Sequence, residues 1–103
     1  MNPVETARGF APMLAARADE IEAARRLPAD IAAAFAAAGL YRLTAPRRHG
    51  GAEVAPAMMI EVIETLARAD ASAAWCIMIG LTSAITTAYL PSAVAAERME
   101  TLE

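Results

Sequence analysis

The fold is decided by residues 71–96, which read ASAAWCIMIGLTSAITTAYLPSAVAA and contain no charged side chain. A stretch this long and apolar suits two environments. About 20 apolar residues suffice to cross a bilayer, and a helix that is apolar all round also lies at the centre of helical bundles. Serines and threonines dilute the stretch, Pro91 interrupts it, and the flanking arginines show no sidedness. The pattern therefore favours a helix buried inside a soluble protein, with Asp70 as its N-cap.

The N-terminal segment predicts a first helix over residues 2–26. Apolar residues recur there at alternating spacings of three and four, which forms one narrow stripe. Asn2 is placed to cap the helix. Pro12 cannot donate a hydrogen bond to the preceding turn, so the helix is expected either to kink there or to begin near Ala11.

A second helix is predicted from Pro28 to Gly39. Proline suits the first position of a helix, and Gly39 suits the left-handed position after its end. In that case Phe35 and Leu40 form the apolar contact of a Schellman motif. The alternation of apolar and polar residues after Leu40 predicts a short extended segment over residues 41–45.

Two more helices complete the expected fold. Residues 56–69 form one, on which Glu64 and Arg68 are spaced as an i,i+4 ion pair. Ser92 begins a last helix that reaches the C-terminus without a stop signal. Its apolar residues are Val94, Ala95, Met99 and Leu102. The expected architecture is an all-α bundle of four to five helices around a central uncharged helix, one domain over residues 1–103 and the N-terminal part of a longer chain.

Composition excludes several classes of protein. Alanine supplies 28 of 103 residues, the net charge is −3 and the mean hydropathy is +0.36, so the chain is not intrinsically disordered. One cysteine cannot form a disulfide framework. The acidic balance argues against nucleic-acid binding. Nothing near the N-terminus resembles a secretory signal, and we expect a cytoplasmic protein that does not enter a membrane.

Few side chains could carry chemistry. Residues 47–51, RRHGG, could bind a phosphate or carboxylate, but we interpret the two glycines as shaping a turn between solvated charges. Cys76 has no nearby base in the sequence and is expected to be a buried, inert thiol. Glu61 and Glu64 share a solvated helix face, which favours surface carboxylates over an acid–base pair. No catalytic residue and no metal site are predicted.

The uncharged helix carries the most distinctive face. At helical spacing that face combines an aromatic ring, an aliphatic side chain and several hydroxyls, a mixture that suits a flat conjugated ligand. It comprises Ser72, Trp75, Ile79, Thr82, Ser83 and Thr86. The alternative is that Trp75 fills the core and the hydroxyls bond carbonyls of their own helix, which composition favours.

An ordered set of short motifs resembles a known family. The motifs are Ala11-Pro12, Arg26-Leu27-Pro28, AGLYRL at 38–43, PRRHGG at 46–51 and ETLARADASAAW at 64–75. Together they resemble the N-terminal helical domain of acyl-CoA dehydrogenase-like flavoproteins over nearly the whole chain. The ending Ala-Ala-Trp is more similar to the branch that contains flavin-dependent monooxygenases and hydroxylases.

The resemblance implies a domain that covers one side of a flavin and substrate cleft. It further implies FAD or FMN as cofactor, a small-molecule substrate, and a following β-domain and C-terminal helical bundle. The chain would then contact those domains or further subunits, form a homo-oligomer, and have no activity alone. The resemblance makes Trp75, Ile79, Thr82 and Ser83 the candidate residues of the substrate cleft.

One departure from the family pattern counts against a direct transfer of function. Some members of the monooxygenase branch carry a histidine about two turns past the tryptophan, and here Thr82 and Ser83 stand in that neighbourhood. This departure argues against a mechanism that relies on that histidine. The alternative function is a non-enzymatic helical assembly module that buries its apolar helix against a partner.

Overall fold

The computed structural model describes residues 2–100 and contains six α-helices within them. They are α1 (Pro3–Ala16), α2 (Ala18–Ala24), α3 (Ala29–Ala37), α4 (Pro56–Ala69), α5 (Ala71–Ile85) and α6 (Ser92–Glu100). Three short 3-10 helices, Leu40–Arg42, Arg47–His49 and Thr86–Tyr89, connect them. The described part of the chain has no β-strand, so the all-α prediction is confirmed. The proposed continuation of the last helix to Leu102 lies outside the described residues.

The first helix begins where predicted but ends earlier than predicted. It runs through Pro12 without restarting and ends at Ala16. Arg8 and Pro12 both lie on the exposed side of α1, where water is available to the carbonyl that proline cannot bond. The break comes instead at Arg17, which separates α1 from α2 and raises the number of helices from the expected four to five to six. The N-cap is confirmed, because Asn2 Oδ1 accepts from Val4 N at 3.0 Å.

The turn after α3 follows its prediction closely. Gly39 has φ +77°, the left-handed conformation that glycine adopts without steric cost. Its N–H donates to the Ala36 carbonyl at 3.0 Å. Phe35 and Leu40, on either side of the turn, are both fully buried in the same core cluster. The helix therefore ends by a glycine cap that is closed by an apolar contact.

The extended segment predicted over residues 41–45 is wrong. The chain turns there in 3-10 geometry, with Arg42 N donating to Gly39 O at 3.1 Å and Ala45 N to Arg42 O at 3.3 Å. Leu40 and Leu43 are three residues apart and both fully buried. That spacing suits the three-residue period of a 3-10 turn, and burial of both leucines outweighs the alternation that had indicated a strand.

The core lies between α1, α4 and α5. Helix α1 packs against α4, and α4 packs against α5. The fully buried side chains at this junction include Leu14, Leu66, Ile77 and Leu81. Helix α4 presents the stripe expected from its sequence, and Arg68 Nη2 lies 2.6 Å from Glu64 Oε1 as the spacing predicted. Asp70 Oδ2 accepts from Ala73 N at 2.7 Å, which confirms the N-cap of α5.

An exposed ion network links α2 to α3. Arg17 donates to Glu20 at 2.6 Å and to Asp30 at 2.5 Å. These hydrogen bonds from the Arg17 guanidinium hold the pKa of the Glu20 and Asp30 carboxyls below their ordinary values of 4.5 and 3.8, and raise the pKa of Arg17 itself. The network therefore favours the ionised carboxylates in the folded state.

The sign of its pH dependence follows from linkage. Carboxyls whose pKa is lower in the folded chain stabilise it fully above the unfolded values of 4.5 and 3.8, and this contribution is lost as the pH falls through the folded values. Arg17→Gln is expected to lower the urea midpoint near pH 7 and to match the parent chain near pH 2. Arg8→Gln, which removes an exposed arginine outside the network, serves as the control. An equal difference between the parent chain and Arg17→Gln at both pH values would contradict the assignment.

Candidate functional site

Helix α5 is buried on one face only. Its buried residues are Ala73, Ala74, Ile77, Leu81 and Ala84. The opposite face is uncovered, and Trp75 is 62% exposed and Ile79 47% exposed. The prediction of a helix enclosed on all sides is therefore wrong, as is the interpretation of Trp75 as a core residue. The core is one layer deep at α5, and the ring lies on its outer side.

The four predicted cleft residues share this uncovered face. Trp75, Ile79, Thr82 and Ser83 are all exposed, and at 100° per residue they lie opposite the buried stripe. The Thr82 hydroxyl donates to the Met78 carbonyl at 3.0 Å and to the Ile79 carbonyl at 3.2 Å. Bonding of threonine hydroxyls to their own helix was the expected alternative, and Thr82 confirms it. The face thus presents two large apolar side chains, Trp75 and Ile79, beside the hydroxyls of Thr82 and Ser83.

Two grooves flank the uncovered face. The first, the α2–α5 groove, has a volume of about 520 Å³, and Ser72, Trp75 and Cys76 line it from α5. The second, the α5–α6 groove, has a volume of about 560 Å³, and Gly80 and Ser83 line it from α5. Ile79 and Thr82 line neither of these two grooves. The structure therefore keeps the four residues on one face but divides Trp75 and Ser83 between two concave sites.

Comparison with known proteins identifies the domain. The model of the family described as acyl-CoA dehydrogenase, N-terminal domain, matches residues 3–98. The chain belongs to this family. The match covers nearly all of the chain, as the sequence motifs predicted, and the six helices agree with an all-α domain of this type.

Curated relatives carry the name of a monooxygenase. The chain is 40% identical over 82 residues to an indole-3-acetate monooxygenase of Pseudomonas putida, which is 80% of this chain and 21% of that protein. It is 44% identical over 46 residues to an indole-3-acetate monooxygenase of Acinetobacter baumannii, which is 45% of this chain and 12% of that protein. The chain thus spans about a fifth of the length of the first relative. No solved structure matches it.

The α2–α5 groove of this acyl-CoA dehydrogenase-type domain contains charges that the sequence interpretation missed. Glu22, Arg25 and Arg26 line it together with Trp75 and are exposed, and none of them was among the predicted site residues. Arg25 has φ +55° and forms the left-handed C-cap of α2. That conformation ends the helix and places two consecutive arginines at the rim of the groove. A left-handed cap at a residue other than glycine has little signal in the sequence.

The RRHGG loop has a structural role in the domain. Arg48 Nη2 donates to the Ala88 carbonyl at 3.1 Å, and Gly50 has φ +85°. A Cβ on Gly51 would collide with the Ala45 carbonyl. Both glycines therefore shape the turn, as expected. Within residues 2–100, His49 Nε2 is buried without a hydrogen-bond partner.

Cys76 is half-buried rather than enclosed, and it lines the α2–α5 groove beside Trp75. Burial is the main cause that raises the pKa of the Tyr41 hydroxyl, and the proximity of Cys76 contributes to a smaller extent. Among the described residues no cluster of three or more His, Cys, Asp or Glu side chains could hold a metal ion.

Residues Ala71–Tyr89 are long and apolar enough to cross a membrane by length and composition, and a third of that window is buried within the domain.

Proposed function

We propose that this domain covers one side of the flavin and substrate cleft of a flavin-dependent oxidoreductase, with the uncovered face of α5 as its contact surface. The observation that carries the proposal is the exposure of Trp75 and Ile79 on an uncharged helix whose other face is buried. Contiguous exposed apolar surface marks binding sites in soluble proteins. A flat, mainly apolar face that includes an aromatic ring fits one side of a conjugated cofactor or an aromatic substrate.

The reaction we propose for the complete protein is monooxygenation of a small aromatic substrate, and two relatives named indole-3-acetate monooxygenase support it. The flavin, FAD or FMN, would supply the redox chemistry when bound. The described residues of α5 offer packing surface and hydroxyls rather than a titrating group near Thr82 and Ser83. The domain alone would therefore bind and orient without catalysing a reaction.

The proposal extends to partners and location. The uncovered face of α5 would meet the remaining domains of the same chain or further subunits of a homo-oligomer, and the protein would be cytoplasmic. A face that contacts protein and cofactor needs no charged side chains, which agrees with the uncharged stretch over residues 71–96.

Flavin titration of the complete protein tests this function. We expect stoichiometric binding of FAD or FMN, and Trp75→Ala is expected to weaken binding of flavin or aromatic substrate about fivefold, since an aromatic contact contributes about 1 kcal/mol. Ile60→Ala is the matched control, because Ile60 is 57% exposed on α4, away from both grooves. Absence of binding of either flavin would refute the proposal.

A second candidate function is the helical assembly module. It is favoured by exposed apolar side chains beyond the cleft residues, of which Tyr89 is the largest at 85% exposure. In that case the 103-residue chain would bury its apolar face against a second copy or another protein. Sedimentation of the 103-residue chain tests this candidate, since a stable monomer would contradict burial of the apolar face against a second copy.

A further inference from the structure

The α2–α5 groove is an open surface groove with the volume of a small-molecule site. Its volume of about 520 Å³ falls within the range of about 300–1,000 Å³ that is usual for such sites. One wall comes from the end of α2 and carries Arg25 and Arg26, and the other comes from the first turns of α5 and carries Trp75. An apolar base is supplied by Ile21, which is buried, and Leu27, which is half-buried.

The arginines of this groove are available to a ligand. Within residues 2–100, Arg25 and Arg26 form no ion pair and their side chains form no hydrogen bond. Arg17 and Arg68, in contrast, each bond a carboxylate. A free guanidinium presents parallel N–H donors whose geometry matches a carboxylate. The end of α2 therefore offers anion recognition that the fold itself does not use.

The net charge of the lining favours an anion. Glu22 is the one acidic residue among those that line the groove, against two arginines. Asp70 lies at the start of α5, and its carboxylate already accepts from the backbone N–H of Ala73. The N-terminal end of α5, where the helix dipole is positive, is thus already capped by Asp70. An external carboxylate would therefore be recognised by the guanidinium groups of Arg25 and Arg26.

The opposite wall favours a planar ring. Trp75 is the largest apolar group in the groove and most of its surface is exposed. Aromatic rings stack on or against the edge of an indole with favourable geometry. Cys76 and Ser72 flank it and add small side chains that leave room beside the ring.

We propose that the α2–α5 groove binds a planar aromatic carboxylate, with Arg25 and Arg26 holding the carboxylate and Trp75 contacting the ring. The inference rests on the proposed function, because it takes this ligand to be the substrate of the flavin and substrate cleft. Arg25 and Arg26 then determine specificity, because an uncharged aromatic compound of the same shape gains the ring contact but not the guanidinium contact.

Calorimetric titration of the complete protein tests the groove independently of flavin. The probes are indole-3-acetate and its uncharged amide, indole-3-acetamide. The parent protein is expected to bind the acid at least about tenfold more tightly, the range for a hydrogen-bonded charge. The double variant Arg25→Gln/Arg26→Gln is expected to bind both probes equally, whereas Trp75→Leu weakens both by the same factor. Arg8→Gln is the charge-matched control and is expected to retain the preference.

A second variant removes folding as an explanation. Arg25→Gly places glycine at φ +55°, a conformation it adopts freely, so loss of the preference for the acid in this variant reflects the missing guanidinium. Equal binding of acid and amide by the parent protein would overturn the proposal, even if flavin binds. Preference for the acid in a protein that binds no flavin would support the groove and refute the oxidoreductase function.

Discussion

Phe35→Ala is expected to lower the free energy of unfolding by about 3–5 kcal/mol, the usual cost of removing a large aromatic side chain from a core. Phe35 is fully buried. Its ring centroid lies 5.0 Å from that of Phe10 at an interplanar angle of 82°, and 6.5 Å from that of Tyr41 at 71°. These edge-to-face contacts would be lost together with the apolar contact across the turn at Gly39.

The loss is large relative to the total stability of about 5–15 kcal/mol that is usual for a domain. Urea unfolding followed by circular dichroism measures it. Tyr89→Ala is the control, because Tyr89 is the most exposed aromatic residue and its removal is expected to change stability by no more than about 0.5 kcal/mol. Equal midpoints for the two variants would contradict the position of Phe35 in the core.

Gly51→Ala and Gly9→Ala are expected to change stability in opposite directions. At Gly51 an added Cβ would collide with the carbonyl of Ala45, and backbone has to move to make room. We expect destabilisation by about 1–3 kcal/mol, the cost of overpacking. Gly9 lies inside α1 with nothing within 4 Å of an added Cβ, and alanine in a helix is expected to stabilise by about 0.5–1 kcal/mol.

The midpoints of thermal unfolding of Gly51→Ala, Gly9→Ala and the parent chain measure the two expected changes in stability. The two substitutions are chemically identical, so any general effect of replacing glycine on the unfolded chain is shared. An unchanged midpoint for Gly51→Ala would contradict the close approach of the loop to Ala45, and a lower midpoint for Gly9→Ala would contradict the open space around Gly9 in α1.

Local features of the fold could be predicted because each depends on a few neighbouring residues. The left-handed cap at Gly39, the N-cap at Asp70 and the stripe of α4 all follow from spacing and residue type alone. The break at Arg17 could not be predicted in this way, because the apolar stripe continues across it to Ile21. At the break Arg17 bonds to Glu20 and, across to α3, to Asp30, which are contacts between separate segments of the chain.

The candidate site was predictable as a face but not as a cavity. Helical spacing brings Trp75, Ile79, Thr82 and Ser83 together whatever surrounds the helix. Whether that face is buried depends on whether other helices pack over it. The sequence of an uncharged helix does not distinguish a covered face from an uncovered one. The α2–α5 groove joins the end of α2 to α5, and the left-handed cap at Arg25 that ends α2 beside it has little signal in the sequence.

The two walls of the α2–α5 groove are anchored very differently. Ile21 is the one buried residue of the seven in α2, and the ion network that joins α2 to α3 is exposed and weakened by salt. Helix α5 is held by five buried side chains. We therefore expect the wall with Trp75 to be stiffer than the wall with the arginines, so that movement of α2 would change the width of the groove while the aromatic surface stays in place.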